Sequence, residues 1–256
     1  MILDVIKNKI EQKCKTSNYP KEKIVLPENY RGMPLIKNGC SDDIVRECAE
    51  NCPVDAIDST KRTIDLGKCL FCGDCEKISN SEFVEFTGNY ETGVSSREDL
   101  IVGVNTKKIE LSTNAVFKKL FGRSLQLRVV SAGGCNACEA DINVLNTPFY
   151  DLARFGIQFV ASPRHADGLL VIGPVPVNME LALKKSYNAI PDPKVVIASG
   201  CCAISGGIFK NNPEQLKGVD EILDVDLYIP GCPPHPMTAL SALLRFFTNK
   251  LQSSKA

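Results

Sequence analysis

Twelve cysteines divide this 256-residue chain into two chemically distinct parts. Cys40, Cys48, Cys52, Cys69, Cys72 and Cys75 lie within 36 positions, whereas Cys135, Cys138, Cys201, Cys202 and Cys232 spread over about a hundred, and Cys14 stands alone. A local cluster suits a compact, loop-rich module that wraps its metal. Dispersed ligands need a larger fold to bring distant loops together, so two domains are expected. The chain is too long and its cysteines too sparse for a small disulfide scaffold. No charged segment followed by an apolar one opens the sequence, and no apolar run approaches the roughly 18 residues of a membrane span. These features predict a cytosolic chain with reduced thiols, and clustered reduced thiols point to metal. Thirty basic residues balance thirty acidic ones, which disfavours nucleic acid or an anionic membrane as partner.

Residues 1–37 read as an amphipathic helix, with Ile2, Val5, Ile6 and Ile10 on one side, followed by a segment kept extended by Pro20, Pro27 and Pro34. Residues 38–88 form the cysteine-rich module. Residues 89–112 carry turn chemistry and charge and read as a connector. The last domain, 113–256, alternates candidate strands (Leu125 to Ser131, Ile157 to Ala161, Leu169 to Gly173, Lys194 to Ser199, Leu227 to Pro230) with helical stretches near 139–154, 178–189 and 236–250. That alternation predicts an α/β fold with a doubly wound parallel sheet.

In an open parallel sheet, ligands bind beyond the carboxyl ends of the strands. The first strand runs into Gly134-Cys135-Asn136-Ala137-Cys138, the fourth into Gly200-Cys201-Cys202 and the fifth into Gly231-Cys232. Three loops at one sheet edge therefore deliver thiolates, each after a glycine that lets backbone approach a bulky group. Four thiolates hold a cubane and five are available, with Cys201 and Cys202 as alternatives for one corner. Core cysteines and a structural zinc site are the competing readings.

Cys52-Pro53 followed by Cys69-Leu-Phe-Cys72-Gly-Asp-Cys75 fits the bacterial ferredoxin pattern. One loop wraps three corners of a 4Fe-4S cluster and the remote Cys-Pro supplies the fourth. Zinc is again the rival, although so close a triple crowds a single ion. A second cluster in this module would need thiolates where Asp42, Val45 and Ser79 stand. Cys40 and Cys48 alone do not hold a cubane, so a third cluster in the chain is not expected.

The segments SLQLRVVSAGGCNACE (124–139), FGIQFVASPRHAD (155–167), GCCAISGGIF (200–209) and YIPGCPP (228–234) resemble the small, iron-sulfur subunit of energy-converting nickel-iron hydrogenases. That family includes formate hydrogenlyase and is homologous to the 20 kDa subunit of respiratory complex I. The resemblance covers residues 113–250 in order. It implies a flavodoxin-like domain with a 4Fe-4S cluster, packed against a nickel-iron large subunit and accompanied by further iron-sulfur and membrane subunits. The family motif Gly-x-Cys-x-x-Ser-Gly-Gly, laid on Gly200 to Gly207, selects Cys202 and leaves Cys201 as a non-ligand. The implied ligands are Cys135, Cys138, Cys202 and Cys232. Complex I subunits use adjacent cysteines in the first motif, whereas Cys135-Asn-Ala-Cys138 has the hydrogenase form. Val129 and Ser131 depart from the His and Asp of many relatives.

His165 and His235, the only histidines, Arg164 and Glu139 are secondary candidates for tuning a cluster, moving protons or facing a partner. Ser205-Gly206-Gly207 reads as backbone that approaches the site beside Cys202. No dinucleotide or P-loop fingerprint occurs and no nucleophilic triad is evident. The expected function is electron transfer through two 4Fe-4S clusters to or from a partner's nickel-iron centre, for reversible hydrogen evolution. The expected location is the cytoplasmic face of a membrane complex, anchored by companions because this chain has no span of its own. A complex-I-like assembly without nickel and a zinc-bound docking scaffold are the alternatives.

Overall fold

The computed structural model describes residues 2–13, 15–104, 106, 108–111 and 115–248. Cys14 and the last two residues of the helix expected to end at 250 lie outside them. Helix α1 (Ile2–Gln12) forms as its periodicity predicts, and its apolar residues Ile2, Leu3, Val5, Ile6 and Ile10 are exposed.

The cysteine-rich region is built from two successive strand-helix-strand units. The first comprises β1 (Pro34–Ile36), α2 (Asp42–Glu50) and β2 (Ile57–Asp58), the second β3 (Thr63–Asp65), α3 (Asp74–Ile78) and β4 (Val84–Phe86). Strand β1 pairs antiparallel with β4, placing Pro34 opposite Phe86, and β2 pairs antiparallel with β3. Part of the segment read as a connector joins this architecture, because β5 (Ile101–Val102) adds antiparallel to β3 with Val102 opposite Ile64. Two residues are too few for strand alternation to be visible in sequence.

After α4 (Ala115–Phe121), the chain alternates β6 (Leu125–Ser131), α5 (Ala137–Val144), β7 (Ile157–Phe159), β8 (Gly168–Ile172), α6 (Val177–Asn188), β9 (Val195–Ser199), α7 (Cys201–Ser205), β10 (Leu227–Ile229) and α8 (Pro236–Phe247). The five strands are all parallel in the order β10-β9-β8-β6-β7. This is the flavodoxin-like arrangement, with the order reversing between β6 and β8. The helix expected over 139–154 stops at Val144, and a 3-10 turn at Leu152–Phe155 follows. Pro148 lacks an amide hydrogen and biases Thr147 away from helical geometry, which accounts for the break.

Successive strand residues face opposite sides of this sheet. Leu127, Leu170, Ile172, Val195, Ile197, Leu227 and Ile229 pack against α8, whose residues other than Arg245 are all buried. On the other face Val130, Leu169, Val171, Val196, Ala198 and Tyr228 share one core with Met33, Val45, Ile64, Leu66 and Phe83 of the cysteine-rich region. One face of the parallel sheet is thus covered in part by the region that carries the other cysteine group. Residues near 93 seal the seam: Val94 exchanges backbone hydrogen bonds with Tyr228, and a Cβ on Gly93 would stand 2.5 Å from Ala242 Cβ.

Candidate metal centres

The loops after β6, β9 and β10 leave the same, carboxyl edge of the parallel sheet, as strand direction requires. Cys135 lies in the loop after β6, Cys138 in the first turn of α5, Cys202 in the first turn of α7, and Cys232 in the loop before α8. The backbone laces these loops together: Gly200 N–H donates to Ile229 O at 2.8 Å and Cys201 N–H to Gly231 O at 2.9 Å. Burial pushes the Cys138 thiol up to about 12, reinforced by the nearby Cys202, Cys232 and Cys135 sulfurs. All four family-implied positions therefore meet in one place. Cys135 and Cys232 are exposed, and Cys138 and Cys202 half-buried.

Two glycines make room for the sulfurs. Gly200 has φ +96°, and a Cβ there would stand 2.9 Å from Cys138 Sγ. Gly207, at φ +55°, would place one 2.8 Å from Cys202 Sγ. Both positions need the left-handed backbone that glycine adopts without strain. The fifth cysteine of this group, Cys201, is only 1% exposed and sits behind the cage. The same Cβ on Gly207 would stand 3.3 Å from its Sγ.

Around this edge, Ser131 Oγ donates to Glu139 Oε1, and Glu139 Oε2 is buried with no hydrogen-bond partner among the described residues. His235 caps α8, its Nδ1 accepting from Met237 N–H at 3.1 Å, which leaves the ring proton on Nε2. Burial lowers its pKa. Val129 packs toward the α8 core. Arg164 and His165 are exposed in a 3-10 turn after β7, and no described contact joins either to a cage cysteine.

The second cage is a pocket lined by Cys52, Cys69, Cys72 and Cys75. Burial pushes the Cys69 thiol up, with the sulfurs of Cys75, Cys52 and Cys72 adding to the effect. The backbone already presents donors to this cage: Ala56 N–H points at Cys52 Sγ and Phe71 N–H at Cys69 Sγ, each at 3.3 Å. Cys48 also lines the cavity, a role its sequence position did not disclose. It is 1% exposed, donates toward Cys75 O at 3.5 Å, and is carried to above its ordinary range, about 11, chiefly by burial. Cys40 is buried nearby, its carbonyl accepting from Arg62 at 3.0 Å. Asp42 pairs with Arg62 at 2.6 Å, Val45 is in the core, and Ser79 is buried with its hydroxyl turned to Glu76 O.

Polar contacts tie the two cysteine regions together. Ser205 Oγ lies 2.9 Å from Gly67 O and 3.0 Å from Cys201 O, and the Lys210 ammonium pairs with the Asp55 carboxylate. Asp65 receives the Arg97 guanidinium through two bonds of 2.8 and 2.7 Å while its Oδ1 also accepts from Gly67 N–H. The Asp65 carbonyl accepts the Cys69 amide at 3.0 Å. Among the described residues no three His, Cys, Asp or Glu side chains meet closely enough to hold a single metal ion.

The family model described as the NADH ubiquinone oxidoreductase 20 Kd subunit matches residues 135–246. Over 126 residues the chain is 44% identical to the probable membrane-bound hydrogenase subunit mbhJ of Pyrococcus furiosus, covering 49% of this chain and 75% of that protein. Over 163 residues it is 40% identical to an NADH-quinone oxidoreductase subunit of Bacteroides thetaiotaomicron, covering 62% of this chain and 79% of that protein. A solved structure of a membrane-bound sulfane sulfur reductase, an archaeal respiratory membrane complex, aligns with 55% of this chain and 75% of its counterpart at 31% identity and a TM-score of 0.45. On the strength of these sequence matches, and in keeping with the parallel sheet and its cysteine-bearing edge, the chain belongs to the oxidoreductase family of the complex I 20 kDa and nickel-iron hydrogenase small subunits.

Proposed function

We propose that this chain is the electron-transfer subunit of a multi-subunit nickel-iron hydrogenase, relaying electrons through two 4Fe-4S clusters for reversible hydrogen evolution in a partner subunit. The observation that carries the reading is the meeting of Cys135, Cys138, Cys202 and Cys232 at the carboxyl edge of the parallel sheet. These four residues would hold one cluster, and Cys52, Cys69, Cys72 and Cys75 the other. Each cluster, when bound, supplies a one-electron carrier.

The chain's own residues fit such groups. Ala56 and Phe71 aim amide hydrogens at ligand sulfurs, which stabilises negative charge there. Gly200 and Gly207 keep side-chain carbon away from the other cage. The two strand-helix-strand units, with β1 on β4 and β2 on β3, support a ferredoxin-like module fused to the family domain. The exposed Cys135 and Cys232 mark the edge where the large subunit would dock. Among the described residues no helix is long and apolar enough to cross a membrane. Attachment to the cytoplasmic face of a membrane assembly would then run through other subunits.

A related oxidoreductase without nickel would use the same cages, and the metal content of the co-purified large subunit separates the two readings. A zinc-bound scaffold is the rival from another class. Tetrahedral zinc needs four ligands at about 2.3 Å from one point, a tighter convergence than the described thiols have. The test is anaerobic purification with the neighbouring gene products, followed by iron, sulfide and nickel analysis and a hydrogen-evolution assay. About eight iron atoms per chain, equal acid-labile sulfide, nickel and hydrogen evolution are expected. Intact complex without nickel or hydrogen would defeat the hydrogenase assignment, and absence of labile sulfide would defeat electron transfer altogether.

A further inference from the structure

Arg31 lies across the ligand loop of the second cage. Its Nε donates to Phe71 O at 2.7 Å, and a Cβ on Gly73 would stand 2.8 Å from its Cδ and 3.2 Å from its Nε. Phe71 and Gly73 are the chain neighbours of Cys72, so the arginine covers backbone on both sides of one proposed ligand. Both neighbours hold left-handed backbone, at φ +55° and +82°. Glycine takes that conformation without strain and phenylalanine does not. Phe71 also aims its amide at Cys69 Sγ at 3.3 Å, so a single residue joins Arg31 to the cage.

The arginine is fixed there by its own segment. Gly32 N–H donates to Thr87 O at 2.7 Å and Met33 N–H to Asn89 O at 2.8 Å. Tyr30 sets its hydroxyl 3.2 Å from Thr238 Oγ1 and stacks edge-to-face with His235. No carboxylate among the described residues pairs with Arg31. Asp74, the acidic residue next along the loop, pairs with Lys77 at 3.5 Å, and Glu76 Oε1 accepts from Phe86 N–H at 3.0 Å.

Resting on the iron-sulfur reading above, we propose that Arg31 is the cation that sets the potential of the cluster held by Cys52, Cys69, Cys72 and Cys75. A guanidinium is a permanent cation, and reduction adds one negative charge to a cluster. Attraction to Arg31 is stronger in the reduced state, which raises the reduction potential. Because the side chain is exposed, water and salt screen much of this attraction, and the effect is a modest adjustment. Cys232 lines the same cleft as Arg31, but no described contact joins the two, so the sheet-edge cluster should move less.

The test is a potentiometric titration, followed by electron paramagnetic resonance, of the full chain in its complex as parent, Arg31→Gln and Arg31→Lys. The signal of this cage is assigned by its loss in Cys72→Ser. Glutamine keeps an N–H donor for Phe71 O and removes the charge, whereas lysine keeps the charge. The glutamine variant should retain its iron and sulfide and shift that signal to lower potential. The expected size is at least a threefold change in the reduced-to-oxidised ratio, or about 28 mV for a one-electron couple in which tenfold is 59 mV. The lysine variant should stay closer to the parent, while a purely bonding role would spare glutamine as much as lysine. An unmoved potential in the glutamine variant, an equal fall in both variants, a larger shift of the sheet-edge signal, or loss of about four iron atoms from Arg31→Gln would each overturn the inference. Absence of clusters in the parent would instead refute the function proposed above, so the two failures are distinct.

Discussion

The hydroxyl of Ser205 reaches the carbonyl oxygen of Gly67 across 2.9 Å, joining residues 138 positions apart. Gly67 precedes Cys69 by two residues, and Ser205 follows Cys202 by three. The contact therefore sits between the two cysteine cages, where a Cβ on Gly67 would stand 2.8 Å from Ile204 Cγ2. Ser205→Ala should leave both cages their thiols but lower stability by about 1–2 kcal/mol, because the Gly67 carbonyl loses a partner at a packed seam. Denaturant midpoints at unchanged slope would measure this. A variant as stable as the parent would show that the hydroxyl can be spared.

Arg97 makes a stronger tie, between the segment after the cysteine-rich module and Asp65 within it. Its two bonds to Asp65 hold a carboxylate that in turn orients the Gly67 amide, and the side chains are only 26% and 15% exposed. Arg97→Met strands that carboxylate and should cost about 2 kcal/mol, below the full penalty for a deeply buried pair because water still reaches both groups. Arg97→Lys should recover less than half of the loss, since an ammonium is a point charge and cannot present the paired donors of a guanidinium. Equal stability of the lysine variant and the parent would refute a geometric role for the fork.

Asp226 gives a pH signature. Its Oδ2 accepts from Val196 N–H at 2.9 Å where β9 begins, yet burial, with Asp224 adding to it, raises its pKa above the ordinary carboxylate value. The folded chain thus binds this proton more tightly than the unfolded one. Stability from this group is complete below the ordinary value of 3.8 and falls as pH rises through the folded-state value. Asp226→Asn keeps an oxygen acceptor for Val196 and removes the buried charge. It should match the parent below that window and be more stable above it, with the gap opening as pH increases and then holding level. Urea midpoints across the pH range check the sign, and a gap that closes toward neutrality would contradict it.

What the sequence reveals and conceals about this molecule follows from the range of each signal. Strands β8 and β9 are apolar runs of five residues, and β6 sets Gln126 and Arg128 between apolar residues over seven, so length and pattern make all three visible. Strand direction then fixes the edge to which Cys135, Cys138, Cys202 and Cys232 belong. By contrast β2 and β5 are two residues each and carry no period. Cys48 reads as a remnant of an incomplete second ligand set, because nothing local says that α2 turns its thiol toward Cys75 O. Ser205 is visible only as part of a tight Ser-Gly-Gly turn. Its partner, like the Asp65 partner of Arg97, is set by packing of one region on the other, a relation without sequence period.

The glycines beside the sheet-edge cage carry the most selective prediction. At Gly200 an added Cβ meets Cys138 Sγ at 2.9 Å and must also accept φ +96°. At Gly207 the obstacles are Cys202 Sγ at 2.8 Å and Cys202 Cα at 3.2 Å, with φ +55°. A left-handed conformation costs a non-glycine residue about 1–2 kcal/mol, a modest loss for the fold. The displaced sulfurs are a greater loss to the cage, since cluster ligation tolerates little movement of its corners. Gly200→Ala and Gly207→Ala should each forfeit about four iron atoms per chain while the cage of Cys52, Cys69, Cys72 and Cys75 keeps its own. Iron analysis beside spectra of Cys72→Ser, which should lose the opposite set, separates the two cages. If either glycine variant retains both spectral components at full iron content, the close approach of backbone to sulfur is not required.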